Sequence, residues 1–89
     1  MGKASLERPK RLAEKLLAIR SNMNLSQNGL IAWFDLKDEL TQAEISAFER
    51  GVRIPSLPLL LRYARKYKIT VEILIDDELD LPALPTVNK

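Results

Sequence analysis

The chain has no cysteine and no histidine. Without cysteine, disulfides and thiolate metal sites are excluded. Without histidine, the commonest general base near neutral pH and the commonest metal ligand are missing too. No apolar run approaches the ~18 residues needed to cross a membrane. The opening stretch MGKASLERPKR has no apolar core behind its charges, so it does not read as a secretory signal, and a cytoplasmic location is expected. No strand pattern of any length is visible. At 89 residues the chain supports one domain with one small core and little room for a catalytic pocket. The paired carboxylates Asp76 and Asp77 have neither a base nor an apolar pocket beside them in sequence, so they do not read as catalytic. An enzyme is not expected, and neither is a cofactor or metal.

Charge is present but unevenly placed. The net charge is only +2. Residues 1–20 set Lys3, Arg8, Lys10, Arg11, Lys15 and Arg20 against Glu7 and Glu14, a net +4. Residues 70–89 set Glu72, Asp76, Asp77, Glu78 and Asp80 against Lys89, a net −4. A basic front and an acidic tail point to a polyanion partner at one end, or to two solvated ends. The chain divides into a basic N-terminal arm (1–8), a helical domain (9–76) and an acidic, proline-spaced C-terminal tail (77–89).

Apolar periodicity gives an all-helical reading. Leu12, Leu16, Ile19 and Met23 fall on one helix face, with Pro9 in the first turn, and Asn22 to Asn24 break the helix. Ser26 caps a second helix carrying Leu30, Ile31, Trp33 and Phe34, in which Gly29 costs ~1 kcal/mol relative to alanine. Residues 35–39 read as a polar connection. Thr41 caps a third helix of about 41–50; Glu44 completes a capping box, and Leu40 with Ile45 has the spacing of a hydrophobic staple. Gly51 has the position of a C′ residue. Ser56 caps a fourth helix with Pro58 in its first turn and Leu57, Leu60, Leu61, Ala64 and Tyr67 facing inward. Thr70 opens a short fifth helix through Val71, Leu74 and Ile75.

Two helices thus begin with the same phrase, Leu25-Ser26-Gln27 and Leu40-Thr41-Gln42. Two short helices joined by a turn suggest a helix-turn-helix. If the Thr41 helix were the first of the pair, the second would carry Leu59, Leu60 and Leu61 in a row, too apolar for a nucleic acid. The Ser26 helix is therefore the supporting one and the Thr41 helix the exposed one.

With that order, residues from about 12 to 75 resemble the Cro/repressor-like (XRE-type) helix-turn-helix family. The carrying motifs are LSQ at 25–27, IS at 45–46, ERG at 49–51, RIPSL at 53–57 and ITVEILI at 69–75. The resemblance implies a compact five-helix, lambda-repressor-like, all-α domain. The chain departs from it in one place: the connection DLKDEL is longer by about four residues and lacks the family's turn glycine, giving an extended, net negative turn between helices 2 and 3.

The expected function is a sequence-specific double-stranded DNA-binding regulator, with a repressor as the leading form. In such a protein the N-terminal part of the third helix enters the major groove, and the preceding helix crosses the backbone. Gln42 is the leading base reader, because a glutamine amide bonds adenine N6 and N7 as a pair; the plainer reading is a polar first-turn residue. Ala43 fits a thymine methyl, and Ser46 a base edge or a phosphate. Glu44 is a capping partner in one reading and an acceptor for cytosine N4 in the other. Ala47 joins them on the expected outward face, with Ile45 and Phe48 inward. On the DNA backbone the resemblance implies Gln27, with Asn28 beside it, and Arg50 and Arg53 as clamps; helix amino termini themselves favour anions. Thr41 is a further backbone candidate, and Arg11 belongs to the basic arm with Lys3, Arg8 and Lys10. Arg50 also reads as a complement to the helix C-terminus, and Arg53 as a solvated loop residue or a partner for Glu49. Glu49 reads as an internal salt-bridge former. Arg62, Arg65, Lys66 and Lys68 read as a solvated face of the fourth helix.

The expected partner set is double-stranded DNA and a second copy of the chain, meeting through helix 5 and the segment bearing Leu79, Leu81, Leu84 and Val87. A protein-interaction module or an antitoxin on the same fold is the alternative, favoured by the acidic turn and tail.

Overall fold

Four hydroxyl side chains set where helices begin. The computed structural model describes residues 8–82, and helices α1 (Leu12–Asn22), α2 (Gln27–Phe34), α3 (Gln42–Glu49), α4 (Leu57–Tyr67) and α5 (Val71–Ile75) are the regular elements among them. Ser26, Thr41, Ser56 and Thr70 precede α2 to α5, and each side-chain oxygen accepts a first-turn N–H. The bonds run from Gly29 (2.8 Å), Glu44 (3.2 Å), Leu59 (3.3 Å) and Ile73 (3.4 Å). Each accepts from one of the N–H donors that a helix start leaves unpaired. Gly29 now has a reason: a Cβ there would lie 3.0 Å from the capping Ser26 Oγ.

The helix ends share a second device. Asn24, Asp35, Gly51 and Lys68 all have positive φ, between 57° and 77°. After each, the next residue's N–H returns to the carbonyl five positions back: Leu25 to Arg20 (3.2 Å), Leu36 to Ile31 (3.1 Å), Val52 to Ala47 (2.9 Å) and Ile69 to Ala64 (2.9 Å). These are Schellman ends, in which a left-handed residue lets two orphan carbonyls be met. Each is followed by an apolar residue, and Leu25, Leu36 and Ile69 pack on the core. The connection 35–39 is therefore not purely polar: Asp35 turns the chain so that Leu36 enters the core at 9% exposure.

The core forms where α1, α2 and α4 present Leu16, Ile19, Leu30, Phe34, Tyr63 and Leu74 of α5 at or near zero exposure, with Ile45 and Phe48 from α3. Phe34 and Tyr63 meet edge to face, centroids 4.8 Å apart. Several expectations are corrected. Met23 is exposed, because α1 ends at Asn22 and the chain turns away. Leu57 and Leu61 face out, while Leu59 and Tyr63 take the inward places. The apolar run 57–61 hid which of its members begin the buried row 59, 60, 63, 64, 67. Ala47 is buried, not outward, since α1 packs closely on α3. Pro9 lies before α1, whose first residue is Leu12. No helix among the described residues is long and apolar enough to cross a membrane.

The two charged ends meet. Helix α1 has no side-chain cap of its own. Asp77 supplies one from 66 residues away: Oδ1 accepts the Arg11 N–H and Oδ2 the Lys10 N–H, both at 2.9 Å. Those two bonds hold its carboxyl below the usual carboxylate range. The Arg11 guanidinium donates to the Asp77 carbonyl (2.8 Å) and to Asp80 (2.7 Å). Lys15 is 2% exposed, and its ammonium donates to the carbonyls of Ile73 (2.7 Å), Asp76 (2.9 Å) and Leu79 (2.7 Å). Burial pushes its pKa down. The described part of the acidic tail thus packs onto α1. The proposed arm residue Lys3 and the tail residues Leu84 and Val87 lie outside the described residues.

Candidate nucleic-acid interface

The echoed triplets explain one another in space. Each capping hydroxyl is followed by a glutamine at the first helical position, and α2 packs on α3. The two glutamines touch: Gln42 Nε2 donates to Gln27 Oε1 at 3.2 Å. Asn28 Nδ2 approaches Gln42 Oε1 at 3.5 Å. The amino termini of both helices therefore open on one surface. Of their first-turn N–H groups, which a helix cannot pair internally, those of Gly29 and Glu44 are met by the capping hydroxyls.

That surface is anchored from beneath. Arg20 Nε donates to Glu49 Oε2 at 2.6 Å and its Nη2 to Glu49 Oε1 at 3.0 Å. The Glu49 side chain is only 5% exposed. Gln27 Nε2 donates to the same carboxylate at 3.2 Å. The pairing with Glu49 holds the Arg20 guanidinium above its ordinary pKa. A relay runs from the Arg20–Glu49 pair to Gln27, then to Gln42 and Asn28. A fixed charge pair at its base orients the neutral amides above it, since each bond polarises the next. Glu49 is thus the internal salt-bridge former expected of it, with Arg20 and not Arg53 as its partner. Arg20 was not singled out in the sequence, and nothing in its spacing to Glu49 separates it from any other late-helix arginine.

The remaining candidates fall into place around this relay. Ala43 is exposed beside Gln42. Glu44 closes the capping box: Thr41 donates its N–H to Glu44 Oε1 at 3.0 Å. The Thr41 hydroxyl also points to that carboxylate, at 3.3 Å. Ser46 Oγ accepts from Arg50 Nε at 3.1 Å, so these two form a pair at the exposed end of α3. Arg53 is exposed, 3.8 Å from Glu44 Oε2 and 5.8 Å from the centre of the Phe48 ring. Arg53 also lines a groove with Arg8, Lys10, Phe48 and Ile54, between the start of α1 and the loop after α3. Arg11 is turned to the C-terminal segment instead, as described above. On α4, Arg62 donates to the Phe34 carbonyl at 2.9 Å and Lys66 lies 5.5 Å from the Trp33 ring centre, so both brace α2.

The face presents neutral amides with both donors and acceptors, two arginines at its edge, and backbone N–H groups. No group of three or more metal-ligating side chains occurs among the described residues. Comparison of the chain with protein-family models, with curated proteins and with solved structures finds no match.

Proposed function

We propose that the chain is a sequence-specific double-stranded DNA-binding regulator, reading the major groove with the amino-terminal half of α3. The observation that carries this reading is the Gln27–Gln42 contact. It puts the polar starts of two helices on one surface, held by the part-buried Arg20–Glu49 pair. The resemblance to Cro/repressor-like helix-turn-helix proteins supports the same pose. Gln42, Ala43 and Ser46 meet base edges, and Glu44 serves mainly to cap α3. Gln27, Asn28, Arg50 and Arg53, with the start of α2, meet phosphates. In binding, Gln42 exchanges its bonds to Gln27 and Asn28 for a base edge. Those are exposed neutral bonds, worth about 0.5–1.5 kcal/mol each at most, so the exchange is not blocked. Arg11 is left out, because Asp77 and Asp80 already hold it. Repression and a cytoplasmic location belong to this proposal as well.

A second reading, a protein-interaction module or antitoxin, is favoured by the exposed acids Asp35, Asp38 and Glu39 and the exposed Leu57. Fluorescence anisotropy on a random duplex pool separates the two. DNA binding requires log affinity to fall linearly with log salt as counterions are released. Absence of binding at low salt would favour the interaction module.

A further inference from the structure

Helix α4 and its C-cap carry Arg62, Arg65, Lys66 and Lys68 and no carboxylate. The connection beside the amino-terminal end of α4 carries Asp35, Asp38 and Glu39 against Lys37. Leu36, Glu39 and Leu40 share a groove there with Ser56, Pro58 and Leu59. Among the described residues, Asp35, Asp38, Glu39 and Arg65 make no ion pair. Between the acidic and the basic end the outer row Leu57–Leu61 of α4 is apolar, with the exposed Arg62 beside it held to the Phe34 carbonyl. Leu57 is 73% exposed and Leu61 38%. Four of the seven large apolar side chains exposed among the described residues, Val52, Ile54, Leu57 and Leu61, fall within ten residues of chain.

We propose that this face, in place of the helix 5 and 79–87 surface expected from the sequence, whose Leu74 and Leu81 pack on the chain's own core, is where two copies of the chain meet, with α4 antiparallel to α4 of the second copy and a two-fold axis near Leu61. Leu57, Leu61 and Arg65 are spaced four apart and form one row along the helix. Crossing at Leu61 in antiparallel sense sets position 57 of one copy beside position 65 of the other. At 1.5 Å per residue these positions lie about 6 Å either side of the axis. The stem of Arg65 covers the partner copy's Leu57, and its guanidinium reaches Glu39 and Asp38 beyond. The two-fold axis repeats the contact. An isologous interface must be self-complementary, and this one carries an apolar centre with opposite charges at its two ends. A parallel pairing would set Arg65 against Arg65. An acidic foreign partner would satisfy the arginine but oppose Asp35, Asp38 and Glu39. The pairing needs no DNA, so it stands or falls separately from the proposed DNA reading.

The test is sedimentation velocity of the full chain without DNA, from micromolar to millimolar. A concentration-dependent dimer is expected. Leu61→Glu is expected to weaken it more than tenfold while leaving the thermal melt intact, since Leu61 is part-exposed. Arg65→Glu and Glu39→Arg each turn two attractive pairs into repulsive ones. At the strength of exposed ion pairs each should weaken the dimer about tenfold. The double reversal should restore it to within about threefold. A monomer at every concentration overturns the proposal. So does a dimer indifferent to Leu61→Glu, or one that the double reversal fails to restore. A loss of binding to a single half-site duplex, with sedimentation unchanged, would assign this face to DNA and overturn it too.

Discussion

The termini and the α2–α3 face use opposite means. At the termini, full charges are consumed inside the fold: Lys15 by three carbonyls, Arg11 by Asp77 and Asp80, and the start of α1 by the Asp77 carboxylate. At the α2–α3 face, neutral amides are held loosely at 3.2–3.5 Å over one part-buried ion pair. The described parts of the segments that looked most like a polyanion site by charge have already found each other. The face with little net charge is the one left open. Charge asymmetry along a chain therefore does not by itself mark a binding surface, because its two halves can be each other's partner.

The largest break in this comparison is Lys15→Met. It removes the donor from three carbonyls around the end of α5, of which the Asp76 carbonyl still accepts the Leu79 N–H (3.0 Å) and the Leu79 carbonyl still has Arg11 Nη1 at 3.5 Å. Bonds to a charged donor contribute about 1.5–3 kcal/mol each, so a loss of about 2–3 kcal/mol in urea unfolding is expected, a large part of the stability of so small a domain. Gln42→Ala should change the same quantity by less than about 0.5 kcal/mol, as exposed surface changes do. Similar losses in the two variants would remove the distinction between a structural and an open region.

The sequence carried the starts of α2 to α5 and missed that of α1 and much of what ties the fold together, for physical reasons. Ser26, Thr41, Ser56 and Thr70 cap through bonds to residues three positions on, so local spacing reveals them. Three of the four Schellman ends use Asn24, Asp35 and Lys68, which carry no glycine signal. Lys15 lies between Leu12 and Leu16 on the apolar face, a position that hints at burial, but its partners are about sixty residues away. Of the relay at the candidate site, the two glutamines were legible and the Arg20–Glu49 base beneath them was legible only in half.

On the open side, Gln42→Ala should lower discrimination at one or two base pairs of a selected duplex by ~1–3 kcal/mol. Arg53→Ala should instead weaken all duplexes about equally and flatten the salt slope, as loss of a phosphate contact does. Competition binding against single-position variants of the selected duplex separates the two. An unchanged motif for Gln42→Ala would remove Gln42 from the base-reading role.

Beneath both regions lies Tyr63, fully buried, whose hydroxyl has no hydrogen-bond partner among the described residues. Burial pushes its pKa up, since a phenolate there would be desolvated. Replacing the hydroxyl by hydrogen removes an unmet polar group and leaves the ring on Phe34. Tyr63→Phe is expected to stabilise the fold by up to about 1 kcal/mol, read as a higher urea midpoint at unchanged slope. A loss of more than about 1 kcal/mol would mean the hydroxyl has a partner of its own.

The smallest effect sharpens the termini side alone. Asp77 is held below its ordinary value of 3.8, first by the Lys10 N–H and then by the Arg11 N–H. A depressed carboxylate contributes stability that is fully present above the unfolded value and is lost as pH falls through the folded one. The difference between wild type and Asp77→Ala cancels the pH dependence that the two share and leaves chiefly the contribution of this group. The gap in melting temperature should be constant from pH 7 down to about pH 4 and should narrow below it. It closes once Asp77 is protonated, because wild type then lacks the anion as the variant does. A gap that stays the same to pH 2 would show that the side chain acts by packing and not as a charged cap. No gap at pH 7 would show that α1 begins without it, and Lys15 and Arg11 would then hold this end.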